Sequence, residues 1–267
     1  MEIGIIGAGS IGLLFASYIS KAENVTLYTR TIEQANEINK FGLILQKGIQ
    51  QRKSVVKALP ITEWLGSDDF TIIAVKQYQL TSIVEKINEF PAKRKNLLFL
   101  QNGMGHLKLL EQIVGGNIFV GAIEHGALKV NPHTVIHNGE GTTNVAVFRG
   151  ESTPIQHLTA RFQPEFSLVF NADYYQMLVN KLIINAVINP LTAILQVKNG
   201  DLIENRYYFH ALKTLFAEIS NILDLDQPEE HFARILKVCH NTAENRSSML
   251  KDIEAKRKTE VEAILGF

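Results

Sequence analysis

The sequence contains a single cysteine, Cys239, among its 267 residues, so it predicts no internal disulfide. It has no excess of either charge, since lysine plus arginine and aspartate plus glutamate each number 27. That balance argues against nucleic acid and anionic membranes as partners. The longest apolar runs, such as Phe70–Val75, have the length of a strand and are too short to span a membrane. We therefore expect no nucleic-acid or membrane partner and a reducing, cytoplasmic location.

Internal repeats, low-complexity segments and a charged leader with an apolar run are also missing from the sequence. The length suffices for two modest domains, each with its own core. The hydrophobic period changes from strand-like to helical near Asp173. We predict an α/β domain over residues 1–170 and a helical domain over residues 171–267, without a metal site.

A glycine-rich motif directly follows the first apolar strand, Glu2–Ile6, and precedes a helical pattern. The motif consists of Gly7, Ala8, Gly9, Ser10, Ile11 and Gly12. In the strand–turn–helix context of a GxGxxG fingerprint, Gly7 permits the tight turn and Gly9 lets the backbone approach a pyrophosphate. Gly12 then allows close packing of the helix on the strand. The motif predicts a dinucleotide site; the alternative is a tight turn without a ligand.

Arg30 follows the second predicted strand, Asn24–Thr29. Sites that prefer NAD usually place a carboxylate there for the ribose 2′-hydroxyl, whereas a guanidinium can pair with a 2′-phosphate. Arg30 therefore favours NADP, and an ordinary surface arginine is the alternative.

Two further apolar strands, Phe70–Val75 and Asn96–Leu100, end in polar segments. The first is followed by Lys76 and, after two residues, by Gln79, and the second by Gln101-Asn102-Gly103-Met104-Gly105. Ligands of open α/β sheets bind outside the carboxyl ends of the strands. A solvated lysine and an Asn-Gly turn are the structural alternatives for these segments.

The stretch 117–149 is predicted to extend the sheet with antiparallel or mixed strands. The predicted strands are Ile118–Val130, Thr134–Ile136 and Asn144–Phe148, and a last strand, Ser167–Phe170, ends the domain. His125 lies within this stretch, and we interpret it as a structural histidine rather than a catalytic acid.

In the second half, Lys181, Asn185 and Asn189 are spaced four residues apart within a predicted helix over residues 173–196. At about 100° per residue this spacing places them on one helical face. Their neighbours are apolar, so a cation and two amides there need polar partners, for which a small polar substrate is one candidate. Alternatively, Lys181 reaches solvent, and Asn189 caps a new helix that starts at Pro190.

Further helices are predicted at 201–222, at 227–243 and from about 259. Asn199-Gly200 is a candidate helix C-cap. Thr259 and Glu262 fit a capping box, which would place Glu260 in the first helical turn, where the helix dipole favours an acid.

Taken together, these residues resemble the ketopantoate reductase family over essentially the whole chain. The glycine motif is common to many dehydrogenases. More specific are the run from Lys181 through Asn185 to Asn189-Pro190-Leu191-Thr192-Ala193, and Ser247-Ser248-Met249 followed by Glu260. Also matching are Arg30, the segment Lys76–Gln79, Gln101–Gly105 and Asn199-Gly200.

The resemblance implies a Rossmann-type domain followed by an all-helical domain, and NADPH-dependent reduction of a 2-oxo acid. It implies that Lys181 and Glu260 are catalytic. The implied substrate contacts are Asn102, Asn185, Asn189, Asn199 and Ser248. The implied cofactor contacts are Gly7 to Gly12, Arg30, Lys76, Gln79, Asn102, Ala127 and Glu260.

This sequence departs from the family at two places: Asn180 replaces a common aromatic residue, and the sequence ends at Phe267, so we expect a short last helix and a less ordered Glu260. Three questions stay open at this stage. The first is whether the substrate is ketopantoate or another branched 2-oxo acid. The second is whether the chain is an enzyme or a non-catalytic NADP sensor. The third is the oligomeric state, for which a homodimer is one candidate.

Overall fold

The structure is a computed structural model that describes residues 1–91, 96–162 and 165–266. Contacts divide the chain into two compact units. Unit 1 comprises Met1–Gln101 and His106–Met177, and unit 2 comprises Asn102–Gly105 and Leu178–Phe267. The boundary predicted between residues 170 and 171 stays a prediction, and the end of the sequence at Phe267 lies outside the described residues.

The strands of unit 1 form two sheets. Within the described ranges they are β1 (Glu2–Ile6), β2 (Asn24–Thr29), β3 (Leu43–Lys47), β4 (Gln50–Ser54), β5 (Lys57–Pro60), β6 (Phe70–Ile73), β7 (Asn96–Phe99), β8 (Asn117–Ile123), β9 (Gly126–Asn131), β10 (Thr134–Gly139), β11 (Thr143–Arg149) and β12 (Leu168–Asn171).

The helices follow in the same order of the chain. They are α1 (Ser10–Ile19), α2 (Ile32–Phe41), α3 (Leu80–Asn88), α4 (Leu107–Leu110), α5 (Thr153–Phe162), α6 (Tyr174–Leu195), α7 (Asp201–Glu204), α8 (Arg206–Ile222), α9 (Pro228–Asn241), α10 (Ser248–Glu254) and α11 (Val261–Leu265).

The larger sheet has the order β12-β11-β8-β7-β6-β1-β2-β5, and its neighbouring strands are parallel except for the pair β8 and β11. Its central strands are mostly apolar, and apart from Glu2 all residues of β1 and β6 are buried, as expected for a parallel sheet covered on both faces. Strand β1 lies between β2 and β6, so the strand order reverses there. The carboxyl ends of such strands form the ligand-binding edge of a doubly wound sheet. The predicted α/β fold with a helical C-terminal region is confirmed.

The smaller sheet, with the order β4-β3-β10-β9, corrects one prediction. The run predicted as a single strand over Ile118–Val130 is broken after Ile123, and β9 and β10 do not extend the larger sheet. Between β10 and β11 the backbone passes close to the end of β8: a Cβ on Gly141 would lie 2.6 Å from the carbonyl oxygen of Glu124. Helix α1 contacts β1 and β2 of the larger sheet and β3, β9 and β10 of the smaller one. It therefore lies between the two sheets.

Unit 2 is helical, and two of its helices differ from prediction. The helix predicted over 201–222 is interrupted at Asn205, whose side chain accepts a hydrogen bond from the backbone N–H of Tyr207 at 2.9 Å and so starts α8. Helix α10 was not predicted. Helix α6 is long and apolar enough to cross a membrane by length and composition, but 61% of its most apolar window is buried, as in the core helix of a soluble protein.

Candidate active-site residues

The glycine motif of unit 1 forms a turn that larger residues could not form. Gly7 has φ +109°, and a Cβ there would lie 2.9 Å from the carbonyl carbon of Ala74, after β6. A Cβ on Gly12 would lie 1.7 Å from the carbonyl oxygen of Gly7. The first turn of α1 is therefore packed directly on the backbone that leaves β1.

Gly9 is the N-cap residue of α1, and its surroundings are open. A Cβ built there meets no atom within 4 Å in the described part of the chain. The N–H groups of a first helical turn have no carbonyl one turn earlier to bind, and no side chain among the described residues caps α1. An open backbone with N–H donors and the positive end of a helix dipole fits the pyrophosphate of a dinucleotide.

Several predicted cofactor residues lie at the carboxyl ends of neighbouring strands. Arg30 is exposed directly after β2. After β6, Lys76 is the N-cap residue of a one-turn helix that ends at Gln79, and the Lys76 N–H donates to Gln79 Oε1 at 3.3 Å. After β7, Gln101 Nε2 donates to the carbonyl oxygens of Ile73 and Val75 at 3.1 and 3.0 Å, which ties the ends of β6 and β7 together.

Lys129 on β9 was missed by sequence reasoning. Its backbone N–H donates to Ser10 Oγ and its ammonium group donates to the Ala8 carbonyl oxygen, both at 3.0 Å. Burial first, and then the positive charge of Arg30, lower the pKa of Lys129. It is 121 residues from Ala8 in the sequence, and no local pattern links the two. Ala127, a predicted cofactor residue, precedes it by two positions and is half-buried on the same face of the strand.

His125 belongs to a hydrogen-bonded network of unit 1. Its Nδ1 lies 3.3 Å from His137 Nε2 and accepts from the Gly141 N–H, while His137 Nδ1 lies 2.8 Å from the Tyr18 hydroxyl. The His125 ring also stacks on Phe166. Burial is the main cause that lowers the pKa of His137, so the neutral form of this ring is favoured. These contacts agree with a structural interpretation of His125.

In unit 2, Lys181, Asn185 and Asn189 lie on one uninterrupted helix, α6. Lys181 and Asn185 are partly exposed and Asn189 is buried. The helix continues through Pro190 to Leu195, so the alternative in which Asn189 caps a new helix is wrong. Packing of the apolar sides of α6 keeps the helix intact across the proline, whose ring would otherwise favour a break.

The segment Asn102–Gly105 groups with unit 2 because it packs on α11. Asn102 Nδ2 donates to Glu260 Oε2 at 3.2 Å, and Glu260 is only 6% exposed. Gly103 has φ +75°, and a Cβ there would lie 1.8 Å from the Ala263 carbonyl oxygen. Two residues predicted separately, Asn102 and Glu260, are therefore joined by a partly buried hydrogen bond.

The predicted capping box at α11 is wrong. Glu260, not Thr259, is the N-cap residue, and within the described ranges α11 has no side-chain cap. The carbonyl oxygen of Glu260 accepts from the N–H groups of Ala263 and Ile264, while its carboxylate binds Asn102. The acidic side chain serves a tertiary contact instead of the helix end.

Asn199 is held by the segment after α9. Its N–H donates to the Asn245 carbonyl oxygen at 3.0 Å and its Nδ2 donates to Thr242 Oγ1 at 2.8 Å. Its Oδ1 is buried and has no hydrogen-bond partner among the described residues, so it is available as an acceptor. The predicted C-cap at Asn199-Gly200 is wrong, because Gly200 has φ −63° and is the N-cap residue of α7.

Ser248 is the exposed first residue of α10, and its neighbour Ser247 fixes that position. Ser247 Oγ accepts from the Leu250 N–H at 3.1 Å and lies 2.7 Å from Thr192 Oγ1 on α6. Thr192 is fully buried and also donates toward the Ile188 carbonyl oxygen at 2.8 Å. This link between α6 and α10 was not predicted, although both residues lie within the quoted motifs.

Comparison with known proteins shows which family the chain belongs to. The family profile described as "Ketopantoate reductase PanE/ApbA" matches residues 3–150, and the profile of its C-terminal part matches residues 173–267. The chain belongs to the ketopantoate reductase family. It is an enzyme, an oxidoreductase of a family that depends on a nicotinamide dinucleotide.

A 2-dehydropantoate 2-reductase from Bacillus subtilis is 41% identical, with 100% of this chain and 89% of that protein covered. A solved structure described as a probable 2-dehydropantoate 2-reductase from Bacillus subtilis has a TM-score of 0.88 at 40% identity and covers 100% of this chain and 91% of that one. A ternary structure of D-mandelate dehydrogenase with NADH and anilino(oxo)acetate has a TM-score of 0.90 but 22% identity, with coverages of 100% and 89%, and so shares the fold alone.

Proposed function

We propose that this enzyme reduces 2-dehydropantoate (ketopantoate) to pantoate with NADPH, a step of pantothenate and coenzyme A biosynthesis. The observation that carries the proposal is the face of α6 that presents Lys181, Asn185 and Asn189 on one continuous helix. A cation flanked by two neutral amides suits a substrate that carries a carboxylate, a ketone and a hydroxyl group. Relatives at 41 and 38% identity over essentially the whole chain are named for this reaction.

NADPH rather than NADH is proposed because of the charges near the glycine turn. Arg30 stands exposed at the end of β2, where a carboxylate would repel a 2′-phosphate. Lys76 and Gln79 follow β6, which lies on the other side of β1 from β2. Lys76 adds a second cation at the same edge of the sheet. Gly7 to Gly12 are proposed to hold the pyrophosphate, and Ala127 and Asn102 to contact the nicotinamide half.

When bound, the nicotinamide would supply a hydride for the C2 ketone of the substrate. We propose that the ammonium group of Lys181 donates a hydrogen bond to the ketone oxygen, stabilises the negative charge that develops there, and then transfers a proton to it. The Glu260 carboxylate favours the charged form of the lysine and is itself oriented by Asn102. The reaction then balances: one hydride at carbon and one proton at oxygen give the alcohol.

The remaining amides are assigned to substrate binding. Asn185 and Asn189 donate to the carboxylate without adding a charge that competes with Lys181. Asn199 Oδ1, buried and without a partner in the described part of unit 2, suits the hydrogen of the substrate hydroxyl, because an unmet buried acceptor costs free energy. Ser248, exposed at the start of α10, is proposed as a further donor. A cytoplasmic location and a homodimer stay predictions.

The test follows the absorbance of NADPH with the purified protein. We expect NADPH to be oxidised only when a 2-oxo acid is present, and fastest with ketopantoate. Turnover should be slower with NADH in place of NADPH, and slower with 2-oxoisovalerate, which lacks the hydroxyl assigned to Asn199. Faster turnover of 2-oxoisovalerate would favour the reductase of another branched 2-oxo acid. NADPH binding without oxidation by any 2-oxo acid would instead favour a non-catalytic sensor.

A further inference from the structure

Lys129 makes two hydrogen bonds to the glycine turn, one from its backbone and one from its side chain. It lies on β9 of the smaller sheet, whereas the turn follows β1 of the larger sheet. Both sheets and α1 belong to unit 1. The contacts therefore connect the smaller sheet to the backbone that the proposed function assigns to the cofactor pyrophosphate.

The side-chain contact fixes the direction of one peptide group. The Ala8 carbonyl oxygen accepts from Lys129 Nζ at 3.0 Å and from Gln34 Nε2 at 2.9 Å. Because a trans peptide is planar, the N–H of Gly9 points to the side opposite that carbonyl. The two donors hold the carbonyl on one side, and the Gly9 N–H consequently faces away from β9.

The backbone contact sets the direction of a hydroxyl group. Ser10 Oγ accepts the N–H of Lys129, so the hydroxyl hydrogen of Ser10 is directed elsewhere and can be donated to an anion. Ser10 is the first residue of α1, where N–H groups also lack intrahelical partners. Both contacts of Lys129 thus leave donors available on the glycine turn.

The ammonium group of Lys129 is bound to backbone and lies near a second cation. Its pKa is lowered, first by burial and then by the positive charge of Arg30. It is therefore a half-buried cationic donor, and its hydrogen bond to the Ala8 carbonyl oxygen is charge-assisted. Gln34, which shares the carbonyl, is neutral and also donates to the Pro132 carbonyl oxygen at 2.9 Å.

We propose that Lys129 is a positioning residue for the dinucleotide pyrophosphate, acting through the Ala8 carbonyl and Ser10 and not by contact with the 2′-phosphate. This inference rests on the proposed cofactor site and gives Arg30 and Lys129 different roles in it. Arg30 distinguishes NADPH from NADH, whereas Lys129 serves both dinucleotides because both contain the pyrophosphate.

The experiment measures the Kd of NADPH and of NADH by calorimetry, without substrate, for three variants of the full chain. Lys129→Met should raise both Kd values by about tenfold, by a common factor, because a charge-assisted hydrogen bond is lost. Arg30→Met should raise the Kd of NADPH alone. Lys47 lies on β3 of the same smaller sheet and forms an ion pair with Glu140. As a control, Lys47→Met should change neither Kd value.

Three further measurements separate positioning from a general loss of structure or charge. Lys129→Arg, which keeps the charge and the donors, should restore binding to within about threefold. Lys129→Met should raise the KM for NADPH and leave kcat unchanged at saturating NADPH. The dependence of log Kd on log salt concentration should keep its slope, since no phosphate contact is removed. If Lys129→Met does not fold, Lys129→Gln is measured with the same expectations.

Unchanged Kd values in the Lys129 variant would overturn the inference, and so would weaker binding of NADPH alone or a smaller salt slope, which indicates a direct ion pair. Since binding is measured without a 2-oxo acid, a wrong substrate assignment leaves this result standing. Absence of binding by the unsubstituted protein would overturn the cofactor proposal together with the inference.

Discussion

The candidate site of unit 1 consists mainly of backbone groups, whereas that of unit 2 consists mainly of side chains. In unit 1 the site is mainly backbone: glycines and first-turn N–H groups at the end of β1, where adding one carbon at Gly12 would cause a 1.7 Å contact. In unit 2 it is side chains from separate segments, among them Asn102, Lys181 and Glu260. A backbone site is encoded over six consecutive residues, whereas a side-chain site depends on how distant helices pack. The two units should therefore respond differently to substitution.

The largest expected effect is on the backbone site of unit 1. Gly12→Ala places a Cβ against the Gly7 carbonyl oxygen and should lower the free energy of unfolding by about 3 kcal/mol, because rigid backbone must move. Chemical denaturation checks this. Gly9→Ala is the matched control: its Cβ meets nothing within 4 Å in the described chain, and φ −83° suits alanine. It should keep stability within about 0.5 kcal/mol and still weaken NADPH binding. Equal stability losses would contradict this account of the turn.

Acid should also act on unit 1, through His106 at the start of α4. It is fully buried, and neither ring nitrogen has a hydrogen-bond partner among the described residues. Burial lowers its pKa from the usual value of about 6.5 to about 4. The unfolded state then binds protons more readily. Stability should be fully present above about pH 6.5 and fall by about 3 kcal/mol as the pH approaches 4.

The measurement for His106 compares unfolding curves of the protein and of His106→Leu at several pH values. The difference between them should grow in favour of the variant as the pH falls through this window, because leucine takes up no proton. Parallel pH dependences would show that His106 does not titrate in this way. His137 titrates in both proteins, and its contribution therefore cancels.

A smaller effect is expected where unit 2 joins Asn102 to Glu260. Either substitution breaks this hydrogen bond, so Asn102→Ala and Glu260→Ala should each reduce turnover, with a coupling of about 1.5 kcal/mol in the double variant. The cycle is measured as kcat/KM and as stability. Additive effects would mean that the two residues act independently. Glu260→Gln keeps a hydrogen-bond acceptor for Asn102 but removes the negative charge, so it should retain the stability of the unsubstituted protein.

The smallest effect is expected at the link between α6 and α10. Thr192→Val removes the hydroxyl that contacts Ser247 while keeping the shape, and should cost about 1 kcal/mol of stability. It should raise the KM for the 2-oxo acid, because Asn189 and Ser248 lie beside the linked residues, and leave the Kd of NADPH unchanged. A change in the Kd of NADPH without a change in the KM for the 2-oxo acid would contradict a role of this link in substrate binding.

The sequence predicts what is local. The strands β1 and β2 are confirmed at their predicted bounds because β-branched, aromatic and other apolar residues dominate both segments. Helix α6 is confirmed within a residue at either end because its apolar pattern is long. Strand β4, with the sequence Gln-Gln-Arg-Lys-Ser, was missed because a polar edge strand carries no hydrophobic alternation. Helix α10 was missed because it has only 7 residues.

Long-range contacts explain the remaining differences. Nothing near Lys129 indicates that its side chain meets Ala8, and nothing near Glu260 indicates that Asn102 occupies its carboxylate. The capping box of Thr259 with Glu262 failed because α11 begins one residue later than predicted, with Glu260 as its N-cap residue. The roles of the site residues in the reaction stay predictions, which substitution must test.

The most direct test of the account is the turnover of Lys181→Ala, measured beside its Kd for NADPH, with the exposed Lys237 of the same unit changed to alanine as the control. The account predicts that kcat falls by roughly 10²-fold or more while NADPH binds as before, because a proton donor is lost and the glycine turn is untouched. The control should turn over normally. Near-normal turnover of Lys181→Ala would contradict the assignment of the lysine as the acid of this enzyme.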